Sequence, residues 1–401
     1  MPTFSINKIH LFFLIAAFVF LGFSSRVQEA EKRPFWGFYG HRLINRTAVY
    51  TLPEEMYPLF KQEIDYLTEH AVDPDKRRYA VIGEGARHYI DLDHWGKPPF
   101  PDLPRQWKDA FIQKNGIELL DAKEEVVAAY ASLELFFSEY PGAQTIIEEA
   151  VAQHLNDESW VIDSWPDSLQ MGEAHTWHIT NELMSHGVVP YFIPVEYHRL
   201  VRAFLDNDPK QVLRRSADLG HYLADAHVPL HTTMNYNGQM TDQVGIHAFW
   251  ESRIPELFAE TQYDFFVGKA EYIRDINQFA WNVVLESNSF VDSVLQIEKR
   301  LSREIPEDEQ YCFEERLNQV VRLPCASYAA QYQQSLAGMV ESRMQKSIQA
   351  VGSIWYSAWI DAGQPDLRKY LSINWDARDL EADEYLEKAA KNGKIIGRPH
   401  E

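Results

Sequence analysis

The sequence predicts an all-α fold, with a single large helical domain over residues 36–365 of the 401-residue chain. Apolar residues recur every three or four positions through most of the chain, which is typical of amphipathic helices. Alternating β patterns of useful length are missing. The composition is 45% hydrophobic and 13% aromatic, which is enough for a sizeable core and excludes a disordered chain.

The N-terminus carries the longest apolar run. Lys8 precedes fifteen residues, Ile9 to Phe23, in which His10 is the single polar member. This run is short for a membrane span and is followed by small residues, so we expect a cleaved signal peptide at 1–24 and a linker at 25–35. An exported protein, periplasmic or secreted, without a transmembrane domain after cleavage is therefore predicted. An uncleaved N-terminal anchor is the alternative.

Helices are then predicted in order along the chain. Thr51 and Glu54 resemble a capping box before an apolar face that starts at Met56. Residues 117–156 and 191–230 also have helical periodicity.

The C-terminal half is predicted to be helical over 260–365. Its clearest helix has an apolar stripe from Leu336 to Trp359, and Gly363 with Pro365 provides a stop signal. The charged tail, residues 366–401, is expected to pack loosely.

Two cysteines, Cys312 and Cys325, lie thirteen residues apart. In an exported protein they can form one disulfide, but two free buried thiols fit the sequence nearly as well.

The charge balance is strongly acidic, with 38 Lys and Arg against 59 Asp and Glu, a formal net charge of −21. Stable nucleic-acid binding by a basic surface is excluded, because it needs Lys and Arg against the phosphates. Docking on anionic lipid through a polybasic patch is excluded for the same reason. Any chemistry on phosphate esters would need another source of positive charge.

The most informative stretch contains His221 and Asp225, which are four residues apart and so share one face of a helix. Pro229 should end that helix. His231 then lies just beyond it, and the pair His247-x3-Glu251 repeats the four-residue spacing. Imidazole and carboxylate groups are the ligands of catalytic zinc sites. Hydrogen-bonded core and surface histidines are the alternative for this stretch alone.

Two upstream pieces add to this pattern: Trp36-Gly-Phe-Tyr-Gly-His41, and the stretch from Asp73 to His88, fifteen residues apart. Together with His-x3-Asp-x5-His and His-x3-Glu, the order of these motifs resembles the zinc-dependent phospholipase C family and its relatives, the single-strand-specific zinc nucleases. Glu251 is the phospholipase form of the last ligand, whereas the short spacing from Trp36 to His41 is similar to the nucleases.

The resemblance implies an all-helical fold of the phospholipase C and zinc nuclease type, with a site for two or three Zn²⁺ ions. One ion would be held by four side chains: Asp73, His88, His221 and Asp225. A second would be held by His231, His247 and Glu251. A third would use His41 and Asp225, with the terminal amine and carbonyl of Trp36. By the same resemblance, Asp73 would orient or deprotonate the attacking water.

The chain departs from the family pattern in two ways. A cut near Ser24 leaves about eleven residues before Trp36, so its nitrogen would be an amide and a poor ligand. The stretch at about 120–180 matches no family motif and is expected to be a helical insertion. His227 is out of phase with His221 and is expected to pack or to support the site. His94 and the neighbouring acids could orient ligands or form a solvated turn.

The sequence thus predicts an exported zinc-dependent phosphodiesterase of the phospholipase C type, which uses metal-activated hydroxide. Its substrate would be a phosphodiester, in a phospholipid headgroup or in single-stranded nucleic acid. A single-strand nuclease or 3′-nucleotidase with the same zinc cluster is the alternative, and a non-catalytic zinc-binding protein is a further one.

Overall fold

A computed structural model describes residues 38–121, 123, 125–151, 159–162, 176–316, 319–371 and 373–398. The expected signal peptide, the linker and Trp36 lie outside these residues. The predictions made for them therefore stay predictions.

Helices dominate the part of the chain that the structure describes, so the predicted mainly helical fold class is confirmed. The described residues of the first half form ten α-helices: α1 (Phe38–Ala48), α2 (Tyr57–Gln62), α3 (Ile64–Glu69), α4 (Asp73–Arg77), α5 (Trp107–Lys114), α6 (Leu133–Glu139), α7 (Ala143–Val151), α8 (Glu182–Ser185), α9 (Val189–Leu205) and α10 (Pro209–His227). Those of the second half form eight: α11 (Ile246–Ala248), α12 (Ile254–Gln262), α13 (Ile276–Asn288), α14 (Val291–Glu304), α15 (Glu307–Gln310), α16 (Ala326–Ser335), α17 (Met339–Asp361) and α18 (Ala377–Asn392). A π-helical turn, Phe249–Arg253, joins α11 to α12.

The centre of the fold is formed by α9, α10 and α17, which pack against one another. The apolar stripe predicted on α17 is buried along its length, and the Trp355 indole donates to the Ser216 carbonyl oxygen at 2.9 Å. Helix α10 begins where Asp208 accepts a hydrogen bond from the Gln211 amide. It ends at His227, because Pro229 follows, as the sequence predicts.

A close helix crossing brings α1 onto α10. A Cβ atom at Gly220 would lie 2.0 Å from the Asn45 side-chain oxygen, so only glycine permits this approach. The Asn45 amide donates to the carbonyl oxygens of Leu67 and Ala217. The crossing stacks the His41 ring on the His221 ring, with centroids 4.0 Å apart.

Two small antiparallel sheets correct the helical prediction for 117–156 and for 260–365. The first has four strands, β1 (Ile117–Leu120), β2 (Val126–Tyr130), β3 (Ser159–Ile162) and β4 (Thr176–Thr180), in the order β2-β1-β4-β3. The second is a hairpin of β5 (Tyr311–Arg316) and β6 (Gln319–Pro324). These short segments are rich in β-branched and aromatic residues, which favour strands. The described part of the unmatched stretch is therefore a sheet with two helices, α6 and α7, rather than a purely helical insertion.

The predicted capping box at Thr51 does not form. The Thr51 hydroxyl donates to the Ala48 carbonyl oxygen at 2.7 Å inside a 3₁₀ turn, and α2 begins later, at Tyr57.

Cys312 and Cys325 are joined in a disulfide, so the alternative of two free thiols is excluded. The bond links β5 to the residue that caps α16. The nearby Arg253 side chain, which follows Glu251 by two residues, donates to the Pro324 carbonyl oxygen at 3.0 Å and pairs with Glu314.

The charged tail packs against the domain, contrary to the expectation of loose packing. It forms α18, whose Asp379 pairs with Lys210 at 2.6 Å and with Arg214 at 2.7 Å. Beyond α18, the Ile396 amide donates to the Arg78 carbonyl oxygen, and the Arg78 guanidinium donates to the Arg398 carbonyl oxygen.

Among the described residues, no helix combines the length and the apolar character that a membrane span requires.

Candidate metal centre

Two adjoining groups of buried imidazoles and carboxylates lie between α1, α10 and the turn around α11. We call the first the Asp225 group; it contains Asp75, His88, His221 and Asp225. We call the second the Glu251 group; it contains His231, His247 and Glu251. His41 lies between the two.

In the Asp225 group, one carboxylate oxygen of Asp225 faces two imidazoles. Asp225 Oδ2 lies 2.8 Å from His88 Nδ1 and 3.2 Å from His221 Nε2, and these two nitrogens are 3.0 Å apart. Asp75 Oδ1 approaches the same nitrogens at 3.7 Å and 3.8 Å. Ligands about 2.05 Å from a tetrahedral ion are roughly 3.3 Å apart, so these separations fit ligands around one cation.

In the Glu251 group, the spacing is equally tight. Glu251 Oε2 lies 2.8 Å from His247 Nε2 and 3.2 Å from His231 Nε2, and the two nitrogens are 3.2 Å apart. His247 and Glu251 lie one helical turn apart, as their spacing predicts. The set predicted for one ion is therefore brought together.

His41 connects the two groups. Its Nε2 atom lies 3.4 Å from Asp225 Oδ1 and 3.3 Å from Glu251 Oε1. The same Asp225 oxygen is 3.8 Å from His231 Nε2. Asp225 thus uses one oxygen toward His88 and His221 and the other toward His41 and His231, as a carboxylate shared between cations would.

Backbone carbonyl groups fix the orientation of three imidazoles. The Nδ1–H groups of His221, His231 and His247 donate to the carbonyl oxygens of Ala71 at 2.8 Å, His88 at 2.6 Å and Tyr236 at 3.1 Å. A neutral imidazole that donates through Nδ1 presents its lone pair at Nε2. The Nε2 atoms of all three rings point into the centre, which is the arrangement of ligating histidines with their outer hydrogen bonds in place.

Several buried polar atoms in the centre lack hydrogen-bond partners among the described residues: both ring nitrogens of His41, Asp225 Oδ1 and Asp75 Oδ1. Such atoms are costly in a protein interior unless another group satisfies them. All of them belong to side chains of metal-ligand type, and the unpaired oxygen of Asp225 faces His41. The residues present therefore fit bound cations.

The two central carboxyl groups respond differently to burial. Burial raises the pKa of Asp225 to about 8, although His231 and His41 oppose the shift. Burial would also raise the pKa of Glu251, but His231, His247 and His41 outweigh it and hold that pKa well below the usual range. Without metal, protons on the imidazole nitrogens that face Glu251 stabilise its carboxylate, and a bound cation would take the place of those protons. The Asp225 carboxylate needs further positive charge.

Asp73, the predicted ligand and the residue expected to orient or deprotonate the water, does not join the centre. Its carboxylate lies 2.6 Å from His70 Nδ1 and 3.0 Å from Lys76 Nζ. Burial acts to raise the pKa of Asp73, but these two partners outweigh it and lower that pKa. Asp75 takes the expected place instead. Two residues apart on the short helix α4, the carboxylates point to different sides, so only one can face His88.

Sequence reasoning missed Asp75 and also Glu84. Glu84 is fully buried, pairs with Arg87 at 2.5 Å and accepts a hydrogen bond from the Tyr222 hydroxyl. Its Oε1 atom lies 3.8 Å from His88 Nε2. The signal for Asp75 was present, since it lies in the same DPD segment as Asp73. Glu84 lies four residues before His88, the same spacing as in the other pairs, but with the acid ahead of the histidine.

Other sequence predictions near the centre have clear outcomes. His227 is packed and not a ligand: its Nδ1–H donates to the Leu223 carbonyl oxygen, and burial together with Arg343 lowers its pKa to about 3. Asp93 accepts hydrogen bonds from Thr233 and the Met234 amide and so holds the segment after His231.

No protein-family model, curated protein or solved structure matches this chain.

Proposed function

We propose that the protein is a zinc-dependent hydrolase of phosphate esters, a phosphodiesterase of the phospholipase C type. One observation carries the proposal: Asp225 is shared between two buried groups of ligand-type side chains whose distances fit bound cations. The order of the motifs, from His41 to Glu251, supports the phosphodiesterase class.

Zinc is proposed because the centre is rich in imidazole, with carboxylates as the remaining ligands. Two ions would occupy the Asp225 and Glu251 groups, and a third would use His41 with Asp225. Bound Zn²⁺ would bring positive charge for an anionic phosphodiester and would lower the pKa of a water toward neutrality. The bound ions would supply the positive charge for phosphate that this acidic chain has too few Lys and Arg residues to provide.

The side chains of this protein have separate tasks in the proposed reaction. His221, His231 and His247 hold their lone pairs in fixed directions, because their outer nitrogens are bound to backbone carbonyl groups. Burial of Asp225 and its neighbours keeps bulk water out of the centre. We assign to Asp75 the role expected of Asp73. Its Oδ1 atom has no hydrogen-bond donor within the described residues, where the Arg78 guanidinium comes no closer than 3.7 Å, and it is available to bind a cation or accept a proton from water.

Export is part of the proposal. The apolar run after Lys8 and the Cys312–Cys325 disulfide both favour an oxidising compartment outside the cytosol.

The substrate class is tested by measuring zinc per chain and then hydrolysis of phosphatidylcholine, single-stranded DNA and a 3′-nucleotide. The same measurements are made on His221→Ala, a variant that lacks one ligand of the Asp225 group. We expect zinc-dependent hydrolysis of phosphatidylcholine that the variant loses together with zinc.

Activity on DNA or the 3′-nucleotide alone would show that the substrate is a nucleic acid or nucleotide and not a lipid. The spacing from Trp36 to His41 favours this alternative. Full zinc content without hydrolysis of any of the three would overturn the enzyme proposal in favour of a zinc-binding protein. Absence of zinc would overturn the metal centre itself.

A further inference from the structure

A second kind of cluster lies away from the buried centre, at the surface, where the 3₁₀ turn Leu92–Trp95 meets helix α8. It consists of His94, Glu182 and His186, whose ligand-type atoms lie within 4.8 Å of one another. Their side chains are 29%, 46% and 20% exposed. We propose that these three residues bind a Zn²⁺ ion at a site separate from the buried centre.

The distances are those expected around a single ion. Glu182 Oε1 lies 3.2 Å from His94 Nε2 and 3.4 Å from His186 Nε2. Ligands around a tetrahedral zinc are roughly 3.3 Å apart. Both imidazole nitrogens therefore lie from one carboxylate oxygen at the separation of zinc ligands, and the exposed side of the cluster leaves room for water as a further ligand.

The imidazole of His186 is oriented for this role. Its Nδ1 atom faces Asp91 Oδ2 at 3.3 Å, and Asp91 is in turn held by Arg398 at 2.6 Å. With Nδ1–H donated to Asp91, the lone pair on His186 Nε2 points at the Glu182 carboxylate. Two electron-rich atoms face each other at 3.4 Å, which is unfavourable unless a cation lies between them.

The two rings are stacked. The centroids of His94 and His186 are 3.4 Å apart, and their planes differ by 11°. Stacking brings both Nε2 atoms to the same carboxylate oxygen. Two imidazolium rings in this arrangement would repel each other. The lone pair of each Nε2 atom lies in its ring plane, so the exposed ring of His94 must turn out of the stack for both nitrogens to bind one ion.

Backbone hydrogen bonds hold the segments that carry the two histidines together before any ion binds. The Asp91 amide donates to the His186 carbonyl oxygen at 2.7 Å, and the Val189 amide donates to the Tyr89 carbonyl oxygen at 3.1 Å. Between them, Gly187 has a φ of +84°, and a Cβ there would lie 2.2 Å from the Tyr89 carbonyl oxygen. The segments that carry His94 and His186 are therefore fixed to each other, so little conformational entropy is lost when an ion binds.

An ion at this site would link two segments that are far apart in the sequence. Glu182 and His186 follow strand β4, whereas His94 follows the segment that carries His88 into the buried centre. The expected effect of the ion is to stabilise this junction, with no ligand taken from the Asp225 or Glu251 groups.

The test is calorimetric titration of Zn²⁺ into the full chain whose buried centre is already loaded. We expect wild type to bind one further equivalent and to unfold at a higher temperature when it is bound. The double variant His94→Ala, His186→Ala should lose both effects. Glu182→Gln, a conservative change at an exposed side chain, should weaken the binding at least tenfold.

Asp91→Asn should weaken the same binding about 10- to 100-fold, because it removes the carboxylate that orients His186. The matched control is His198→Ala, which removes an exposed histidine outside both clusters and should leave the titration unchanged. Absence of the further equivalent in wild type would overturn the proposal and would mean that protons alone hold the cluster together. Equal binding by wild type and the double variant would overturn it as well.

Discussion

The Asp225 group and the Glu251 group use the same side-chain types, but the protein stabilises them differently. Glu251 is surrounded by three imidazoles that hold its pKa well below the usual range, whereas burial raises the pKa of Asp225 to about 8. Glu251 and His247 come from one helical turn. The Asp225 group draws on α4, the 3₁₀ turn that ends at His88, and α10. We infer that the Glu251 group is largely preformed, while the Asp225 group depends on its cations.

The segments that pack against the two groups and hold them in place also differ. Arg253, two residues after Glu251, is bound to the disulfide-linked hairpin through Pro324 and Glu314. The Asp225 group is held from the other side by the C-terminal segment, since Lys76 pairs with Glu387 at 2.6 Å. A buried carboxylate thus becomes an anion either because nearby imidazoles stabilise it or because a metal does.

The largest effect is expected from Asp225→Asn, because Asp225 serves both groups. Zinc content and rate of hydrolysis should both fall, the rate by more than about 100-fold, which is the upper end for losing a residue that only orients a ligand. Metal analysis and initial rates measure the two quantities.

Its control is His227→Asn, a buried histidine of the same helix whose ring donates to the Leu223 carbonyl oxygen and to no side chain of either group. This variant should retain zinc and rate below its unfolding temperature. Unchanged zinc and rate in Asp225→Asn would refute the shared role of Asp225.

The second largest effect tests whether the disulfide-linked hairpin supports the Glu251 group and not the Asp225 group. Replacing both Cys312 and Cys325 with Ser should lower the free energy of unfolding by about 3 kcal/mol, because the bond closes a loop with a sequence separation of 13. Any loss of zinc should be confined to the Glu251 group, which the hairpin supports. Urea unfolding and zinc retention during dialysis measure both effects.

Val320→Ala, a change at an exposed residue of the same hairpin, is the matched control and should be near neutral. Equal stability of the Ser variant and wild type would show that the hairpin does not depend on its disulfide.

The third prediction concerns the two acids of α4. Asp75→Asn should lower zinc affinity and rate about 10- to 100-fold, because its Oδ1 atom faces His88 and His221. Asp73→Asn should leave zinc affinity near the wild-type value, since Asp73 is occupied by His70 and Lys76. Each variant is the control for the other, and zinc affinities would be compared by competition with a chelator. The reverse ranking would restore Asp73 as the ligand.

The smallest effect is a release of protons when the metal-free protein binds zinc. With a pKa of about 8, Asp225 is mostly protonated near pH 7, and a cation needs it as the carboxylate. Zinc binding should therefore release up to about one proton per chain from Asp225 near pH 7, in addition to the protons given up by the ligating imidazoles. The Asp225 contribution should be smaller at about pH 9, where the carboxyl group is already ionised. Titrations in two buffers with different ionisation enthalpies measure this number.

Glu251, with its pKa held low, should contribute nothing to this release. A release that is absent near pH 7 would mean that Asp225 is already ionised without metal, and the contrast between the two groups would disappear.

Much of the centre could be predicted from the sequence because it depends on local geometry. His221 and Asp225 share a helix face by their spacing, Pro229 ends the helix before His231, and His247 with Glu251 repeats the spacing. Asp75 could not be chosen over Asp73, because the register of a five-residue helix depends on tertiary contacts. These contacts, His70 and Lys76 with Asp73, cannot be inferred from periodicity.

The fold was predicted in its class but not in its small sheets. Helices α10 and α17 are long and strongly periodic, so their pattern is unambiguous. Strands of four to six residues, such as Ile117–Leu120 and Gln319–Pro324, are too short for alternation to be distinguished from a helical face. Their stability comes from pairing with other strands, of which β4 is distant from β1 in the sequence, and in the hairpin from the disulfide.

The packing of the C-terminal segment against Arg78 has a consequence for biosynthesis. A chain leaves the ribosome from its N-terminus, and its early parts begin to fold first. His41, Asp75 and His88 emerge long before Ile396 and Arg398, which hold the start of the Asp225 group in place. The Asp225 group therefore cannot be fully supported before residues 396–398 have emerged, and full metal loading is expected only after these residues have packed against Arg78.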